Sequence, residues 1–405
     1  MQKTIDIHSY DERLASALAR LKKTDDISDE NKAAIIRFHN DCLAEGLTTG
    51  RVAKYIYLLS KISRWLKKDF EKATKEDILR LVQMVERDKD YADWTKRDFK
   101  IGLKKFYKWL RKSEDIYPDE VRWIKTNMKN GRNKLPEELI TEEEIKAMVD
   151  SADHIRDKAL LFMLYESGCR IGEVASLRIR HIQFDKYGAT AIVTGKTGDR
   201  RIRLIASAPL LSTWLANHPW KNQPDAPLWV GIGARSKNEA VSYSTLCMMI
   251  KSVAAKAGVK KKVHPHLFRH SRATYLAKFL TEAQMKQIFG WTQSSDMAAV
   301  YVHLSGRDTD DAILELNGIK TDSSEKKEST LKPMKCPRCD TINPATARFC
   351  QRCSFALDVV AAMRIDDERN LADDLMARLM ADKATQSFLA RKIEKLGLER
   401  HLSKG

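Results

Sequence analysis

Two stretches of this chain have nothing to bury. MKNGRNKLPEE (128–138) is polar and basic and is interrupted by Gly131 and Pro136. KTDSSEKKESTLK (320–332) has no core-forming residue beyond Leu331. They divide the 405 residues into segments that must each find a core, which fits two or three domains at about 100–200 residues apiece. The expected organisation is therefore multidomain: a helical domain over 1–127, a linker over 128–138, a second domain over 139–319, a linker over 320–332, a cysteine module over 333–356 and a helical tail over 357–405.

The first segment reads as four to five helices with a basic exterior. Apolar residues recur at helical spacing through Ile35, Ile36, Phe38 and Cys42, and again through Val52, Tyr55, Ile56, Leu59 and Ile62. Thr74 followed by Glu76 and Asp77 marks a capped, acid-led start. The second segment is α+β, mainly helical with a small antiparallel sheet. Its three β-prone stretches are Ile182–Lys186, Thr190–Val193 and Arg201–Ile205, and further helices are expected around Leu210–Ala216, Thr245–Ala257, Arg269–Leu280 and Glu282–Phe289. In the tail, Leu371, Leu375 and Leu379 with Met376 and Met380 form an apolar stripe. A helix docking on its own chain is the default there, and one reaching a neighbouring protomer is the alternative.

Lysine and arginine exceed aspartate and glutamate by 17, which points to a polyanionic partner, nucleic acid being the commonest. No run approaches the roughly 18 apolar residues of a spanning helix, and the N-terminus lacks an apolar signal core, so a cytoplasmic, nucleoid-associated protein with no membrane partner is expected. CPRCDTINPATARFCQRC has the form C-x2-C-x10-C-x2-C. Two such knuckles present Cys336, Cys339, Cys350 and Cys353 as a tetrahedral thiolate set for a structural Zn2+, a zinc ribbon, with a rubredoxin-like iron site as the alternative. Four protein ligands leave no open position, so no catalysis is expected at the metal.

The chemistry-bearing residues lie in the second segment. SGCRIGEVASL places Arg170 after a glycine turn with Glu173 one helical turn on, and GKTGDRRIRL places Lys196 at a strand end. HPHLFRHSRAT sets His266 three residues before Arg269, and FGWTQSSDMAAVYVHL supplies Trp291 and then Tyr301. In that order the series resembles the signature of the tyrosine recombinases, the phage integrase family, over roughly residues 140–305. The resemblance implies an all-α, SAM-like core-binding domain at the N-terminus and a recombinase catalytic domain after it. It implies double-stranded DNA with specific recombination sites as substrate, and a tetramer of protomers on two duplexes. The appended ribbon resembles those that follow integrase-like domains in archaeal proteins.

The family's roles, carried onto these residues, are chemically coherent. Arg170 and Arg269 grip non-bridging phosphate oxygens, which a planar guanidinium does two at a time. His266 donates to a non-bridging oxygen or relays a proton, and Trp291 offers its indole N–H where relatives often carry histidine. Lys196 protonates the departing 5′-oxygen, Tyr301 attacks phosphorus to give a 3′-phosphotyrosyl bond, and Glu173 supports Arg170. The bond energy is conserved in that link, so neither ATP nor a catalytic cofactor is expected. His270, beside Arg269, reads as a neighbour rather than a catalyst. The leading role is integrase of a mobile element or virus. The alternatives are an Xer-like chromosome or plasmid dimer resolvase, a non-catalytic zinc-containing DNA-binding regulator on the same fold, and a topoisomerase-like relaxing enzyme.

Overall fold

The structure, a computed structural model, describes residues 5–127, 138–195, 197–233, 238–304, 317 and 329–395. Both expected linkers fall largely outside the described residues. The chain divides into two compact units, one of residues 1–135 with 242–244, the other of residues 136–241 and 245–405.

The N-terminal unit is all helical: α1 (Tyr10–Lys23), α2 (Asp29–Ala44), α3 (Thr49–Leu66), α4 (Lys75–Arg87), α5 (Asp93–Leu110) and the short α6 (Asp119–Arg122). That is one helical segment more than the periodicity suggests, because α6 is a single turn. The apolar faces of α2, α3 and α5 meet in an aromatic core, where Phe106 packs edge-on against Phe38 and Phe70 at 5.3 and 4.7 Å between ring centroids. The buried Asn31 staples this core, donating to Ser63 Oγ (2.9 Å) and the Lys68 carbonyl (3.0 Å) and accepting from the Phe70 N–H (2.8 Å). Every polar atom of its amide is thereby engaged, as burial demands. Thr74 caps α4, as expected, and Asp77 reaches back to its N–H to complete a capping box that the sequence reading did not name.

The second unit opens with α7 (Glu142–Ser151) and α8 (Ile155–Ser167). Residues 159–165 of α8 are all buried, so this helix is central, which its unbroken apolar run ALLFMLY foreshadows. After the short α9 (Ile171–Ala175) comes an antiparallel meander of β1 (Ile182–Asp185), β2 (Gly188–Gly195) and β3 (Gly198–Leu204). The β2–β3 hairpin is longer than the β-prone stretches alone indicate, pairing from Ala189 with Leu204 down to Gly195 with Gly198. Then follow α10 (Ala208–Ala216), α11 (Tyr243–Lys256), α12 (Pro265–Leu276), α13 (Glu282–Phe289) and α14 (Met297–Leu304). Helix α12 starts four residues earlier than expected at Arg269, because Pro265 at its first turn presets φ and has no N–H to leave unpaired.

Beyond residue 329, β4 (Met334–Lys335) pairs antiparallel with β5 (Ile342–Asn343) around the cysteines, and two helices, α15 (Val359–Ala381) and α16 (Lys383–Lys395), follow. Among the described residues, nothing covers the apolar stripe of α15. Leu371, Leu375, Leu379, Met376 and Met380 are all exposed, Leu371 by 71%. No described helix is long and apolar enough to cross a membrane.

Candidate active site

The site grows from the C-terminal end of α8. Gly168 caps that helix in the left-handed conformation (φ 59°), and a Cβ there would stand 2.5 Å from the Phe289 ring, so the turn requires glycine. The chain then reverses through Cys169 into Arg170, the N-cap of α9. Glu173 reaches back to this cap. Its carboxylate accepts from the Arg170 backbone N–H (2.9 Å) and from Arg170 Nη1 (3.0 Å).

A second arginine completes the carboxylate's shell. Arg200 on β3 donates from Nη2 (2.6 Å) and Nη1 (3.1 Å) to the two oxygens of Glu173, and its Nε donates to the Ile288 carbonyl at 2.9 Å. Burial alone pushes Glu173 toward its neutral form, but the hydrogen bonds and charges of Arg200 and Arg170 outweigh it and hold the carboxyl below its ordinary range. Gly195 permits this approach, since a Cβ there would meet Glu173 Oε1 at 2.5 Å.

Arg269 enters from α12 and is 6% exposed. Its Nη1 donates to the Gly168 carbonyl (3.0 Å) and its Nη2 to the Phe289 carbonyl (2.6 Å), joining the ends of α8 and α13. Those carbonyls sit at the negative ends of helix dipoles, a fitting place for a cation. Among the described residues two of its five N–H donors find acceptors, so further N–H groups can meet an anion. Burial first, and then the neighbouring charge of Arg170, lowers its pKa to about 10.

The aromatic wall is continuous. Trp291 stacks on Phe289 (4.9 Å between centroids, 18° between planes) and on Tyr301 (5.5 Å, 3°), while the Arg269 guanidinium lies 5.4 Å from the Trp291 ring. Tyr301, from α14, is 3% exposed, and burial pushes its phenol up to about 12 against the pull of Arg269. The Oη of Tyr301 lies 2.5 Å from Nδ1 of His270.

The structure thus brings Arg170, Glu173, Arg269, Trp291 and Tyr301 into one cluster. His266 stands exposed on the first turn of α12, one turn before Arg269, and Lys196 lies outside the described residues. Two residues of the cluster escaped the sequence reading. Arg200 shares strand parity with the buried Ile202 and Leu204, a period-2 signal that places it inward once the strand is known to start at Gly198. His270 carries no local signal, since its partner is 31 residues away.

The four cysteines form a separate cluster. Their sulfurs lie within 4.8 Å of one another, with Cys336 and Cys353 at 3.6 Å and Cys339 and Cys350 at 3.5 Å. Four sulfurs at about 2.3 Å from one tetrahedral ion stand about 3.8 Å apart, so this set can hold a metal. The Arg352 N–H points at Cys350 Sγ (3.4 Å), and the buried Asn343 donates to the Thr341 carbonyl (2.8 Å) and accepts from the Gln351 N–H (2.9 Å), bracing one knuckle against the other.

Comparison with known proteins agrees with this geometry. The phage integrase family model matches residues 138–307. The tyrosine recombinase XerA of Pyrococcus furiosus is 30% identical over 189 residues, 45% of this chain and 64% of XerA. The tyrosine recombinase XerC of Xanthomonas campestris is 28% identical over 42% of this chain and 52% of XerC. The chain therefore spans only about half to just under two thirds of the length of these curated relatives. Among solved structures, XerH site-specific recombinase bound to palindromic difH substrate superposes with a TM-score of 0.52 at 17% identity, covering 79% of this chain and 98% of XerH. A lambda integrase tetramer bound to a Holliday junction gives 0.53 at 14% identity, covering 69% and 78%. At such identities the two structures speak for the fold, mostly helical with a small antiparallel sheet. Residues 138–307 are thus similar to the phage integrase family, the tyrosine recombinases.

Proposed function

We propose that this protein is a site-specific recombinase that cuts and rejoins duplex DNA through a 3′-phosphotyrosyl intermediate. The observation that carries the reading is the stacked run of Tyr301, Trp291 and Arg269, with Arg170 held beside it by Glu173. A buried phenol next to an arginine with unused donors matches the needs of phosphoryl transfer, a nucleophile and cations for the equatorial oxygens. In this reading Arg170 and Arg269 hold the non-bridging oxygens, His266 and the Trp291 N–H assist them, and Lys196 protonates the 5′-oxygen. Glu173 keeps Arg170 in register. The chemistry needs neither ATP nor a metal at phosphorus.

The helical domain of residues 1–127 acts as the core-binding partner of the catalytic domain of residues 139–319, and protomers work as a tetramer on two duplexes. The four cysteines hold a structural Zn2+, whose part is to keep residues 333–356 folded. The setting is cytoplasmic, at the nucleoid. The role we favour is integration for a mobile element or virus. Xer-like resolution of chromosome or plasmid dimers is the alternative.

The test is covalent capture on a pool of nicked duplexes of randomised and genomic sequence, in chelator and without ATP. The unsubstituted protein should form a denaturation-resistant adduct and Tyr301→Phe none, although its folding and DNA binding persist. An equal adduct from Tyr301→Phe would move the nucleophile elsewhere. Binding with no adduct from either protein would favour the non-catalytic regulator. Captured genomic fragments that map to the border of a mobile element support the integrase role, and a single chromosomal site supports the resolvase.

A further inference from the structure

We infer that His270 is the base that takes the proton from Tyr301 as the tyrosine attacks phosphorus. The inference rests on the recombinase reading above and adds to it a catalytic residue that the signature does not name.

The warrant is contact with a reacting atom. Nδ1 of His270 is 2.5 Å from Tyr301 Oη, with the two ring centroids 5.9 Å apart and the planes inclined by 39°. An imidazole protonated on Nε2 accepts at Nδ1, so the phenol donates to it directly. Both partners are held. His270 follows Arg269, which is tied to two backbone carbonyls, and Ser271 on its other side accepts from the Ile140 N–H and donates to the Leu267 carbonyl, both at 2.9 Å. Tyr301 is fixed by its stack on Trp291 and by a core of Ala273, Ala277, Met285, Phe289 and Ala298.

The phenol needs this help. Burial raises its pKa, so it does not ionise unaided at neutral pH. His266, the histidine of the signature, is exposed on the first turn of α12, whereas His270 touches the oxygen that must lose the proton. In the step, the Oη–P bond forms while the proton moves from Oη to Nδ1. The bond from phosphorus to the 5′-oxygen breaks, its electron pair leaves with that oxygen, and the acid, Lys196 in the proposed scheme, supplies a proton there. Rejoining runs the same path backwards, the His270 imidazolium returning the proton to Oη. The anionic phosphate offsets the charge that appears on His270 beside Arg269.

The experiment times adduct formation by the full chain on the nicked duplex that the unsubstituted protein captures. Three proteins are compared: unsubstituted, His270→Ala and His270→Asn. Asparagine keeps a polar group near the phenol and so guards the fold, but it cannot take a proton. Both variants should slow by about 10²–10⁴-fold, the usual span of general-base catalysis, with DNA binding unchanged. Two treatments should restore much of the His270→Ala rate: added imidazole, and 3,5-difluorotyrosine at position 301, whose more acidic phenol needs less of a base. A bridging 5′-sulfur should not restore it, because that change helps only the leaving group. An adduct formed as fast or faster in both variants would overturn the assignment and make the contact a latch on the tyrosine. A defect that neither imidazole nor difluorotyrosine relieves would overturn it too, leaving His270 a positioning residue. No adduct from the unsubstituted protein would instead sink the recombinase reading, and the assignment with it.

Discussion

The arginine–tyrosine cluster and the four-cysteine module are both small polar centres, yet they are built in opposite ways. The cluster joins residues far apart in the chain: Arg269 to Gly168 across 101 positions, Arg200 to Ile288 across 88. The module brings its sulfurs together within 17 positions. One centre exists only where a whole hydrophobic unit has closed around it. The other is closed by its own ligands, in a segment with almost nothing else to bury. Stability should therefore be lost independently at the two places.

The largest effect should come from removing the metal proposed for the cysteine module. A strong chelator, or Cys336→Ser, should unfold residues 333–356 outright, seen as loss of amide protection there, while the cluster keeps its protection and its adduct. Coupled loss at both places would break the comparison.

Next comes Arg200→Met, which leaves the 5% exposed Glu173 carboxylate with half its partners and should cost about 3–5 kcal/mol in urea unfolding of the second unit. Adding Glu173→Met should recover most of that stability but not activity. The same carboxylate sets a pH dependence. Its pKa is lower folded than unfolded, so its contribution is complete above the unfolded value and disappears as pH falls through the folded one. Glu173→Gln should flatten that acid limb, and an unchanged limb would show that other carboxyls set it. Gly195→Ala should be milder, about 1–3 kcal/mol, by pressing a methyl against Glu173 and Arg200. Smallest is Thr281→Ala, which removes the cap that accepts from the Gln284 N–H and should cost about 1 kcal/mol with the adduct intact.

The comparison also explains what was legible in the sequence. The cysteine spacing could be read directly because the residues are local, and so could the Thr74 helix start. Arg170 with Glu173, and Arg269, Trp291 and Tyr301, were legible through their order along the chain. Arg200 was not, because its inward direction follows from a strand register that the β-prone stretches understated. His270 was set aside as a neighbour because nothing within a helical turn marks it. The stripe on α15 was visible as a pattern, but amphipathicity does not say where a helix docks, and here it is exposed.

Arg269 has a thermodynamic consequence of its own. A guanidinium whose pKa falls to about 10 is a cation that burial makes less comfortable in the folded state than in the unfolded chain. Burial and the like charge of Arg170 lower its pKa, while the Gly168 and Phe289 carbonyls accept two of its hydrogen bonds. The cost of burying this charge is localised on the group proposed to hold phosphate, and an anion bound there would reduce it. Replacing Arg269 with methionine would remove that charge but also leave the Gly168 and Phe289 carbonyls without their donor, so the two changes in stability oppose each other. One side chain thus divides two tasks: its paired N–H groups tie the ends of α8 and α13 together, and its charge is what an anion would meet.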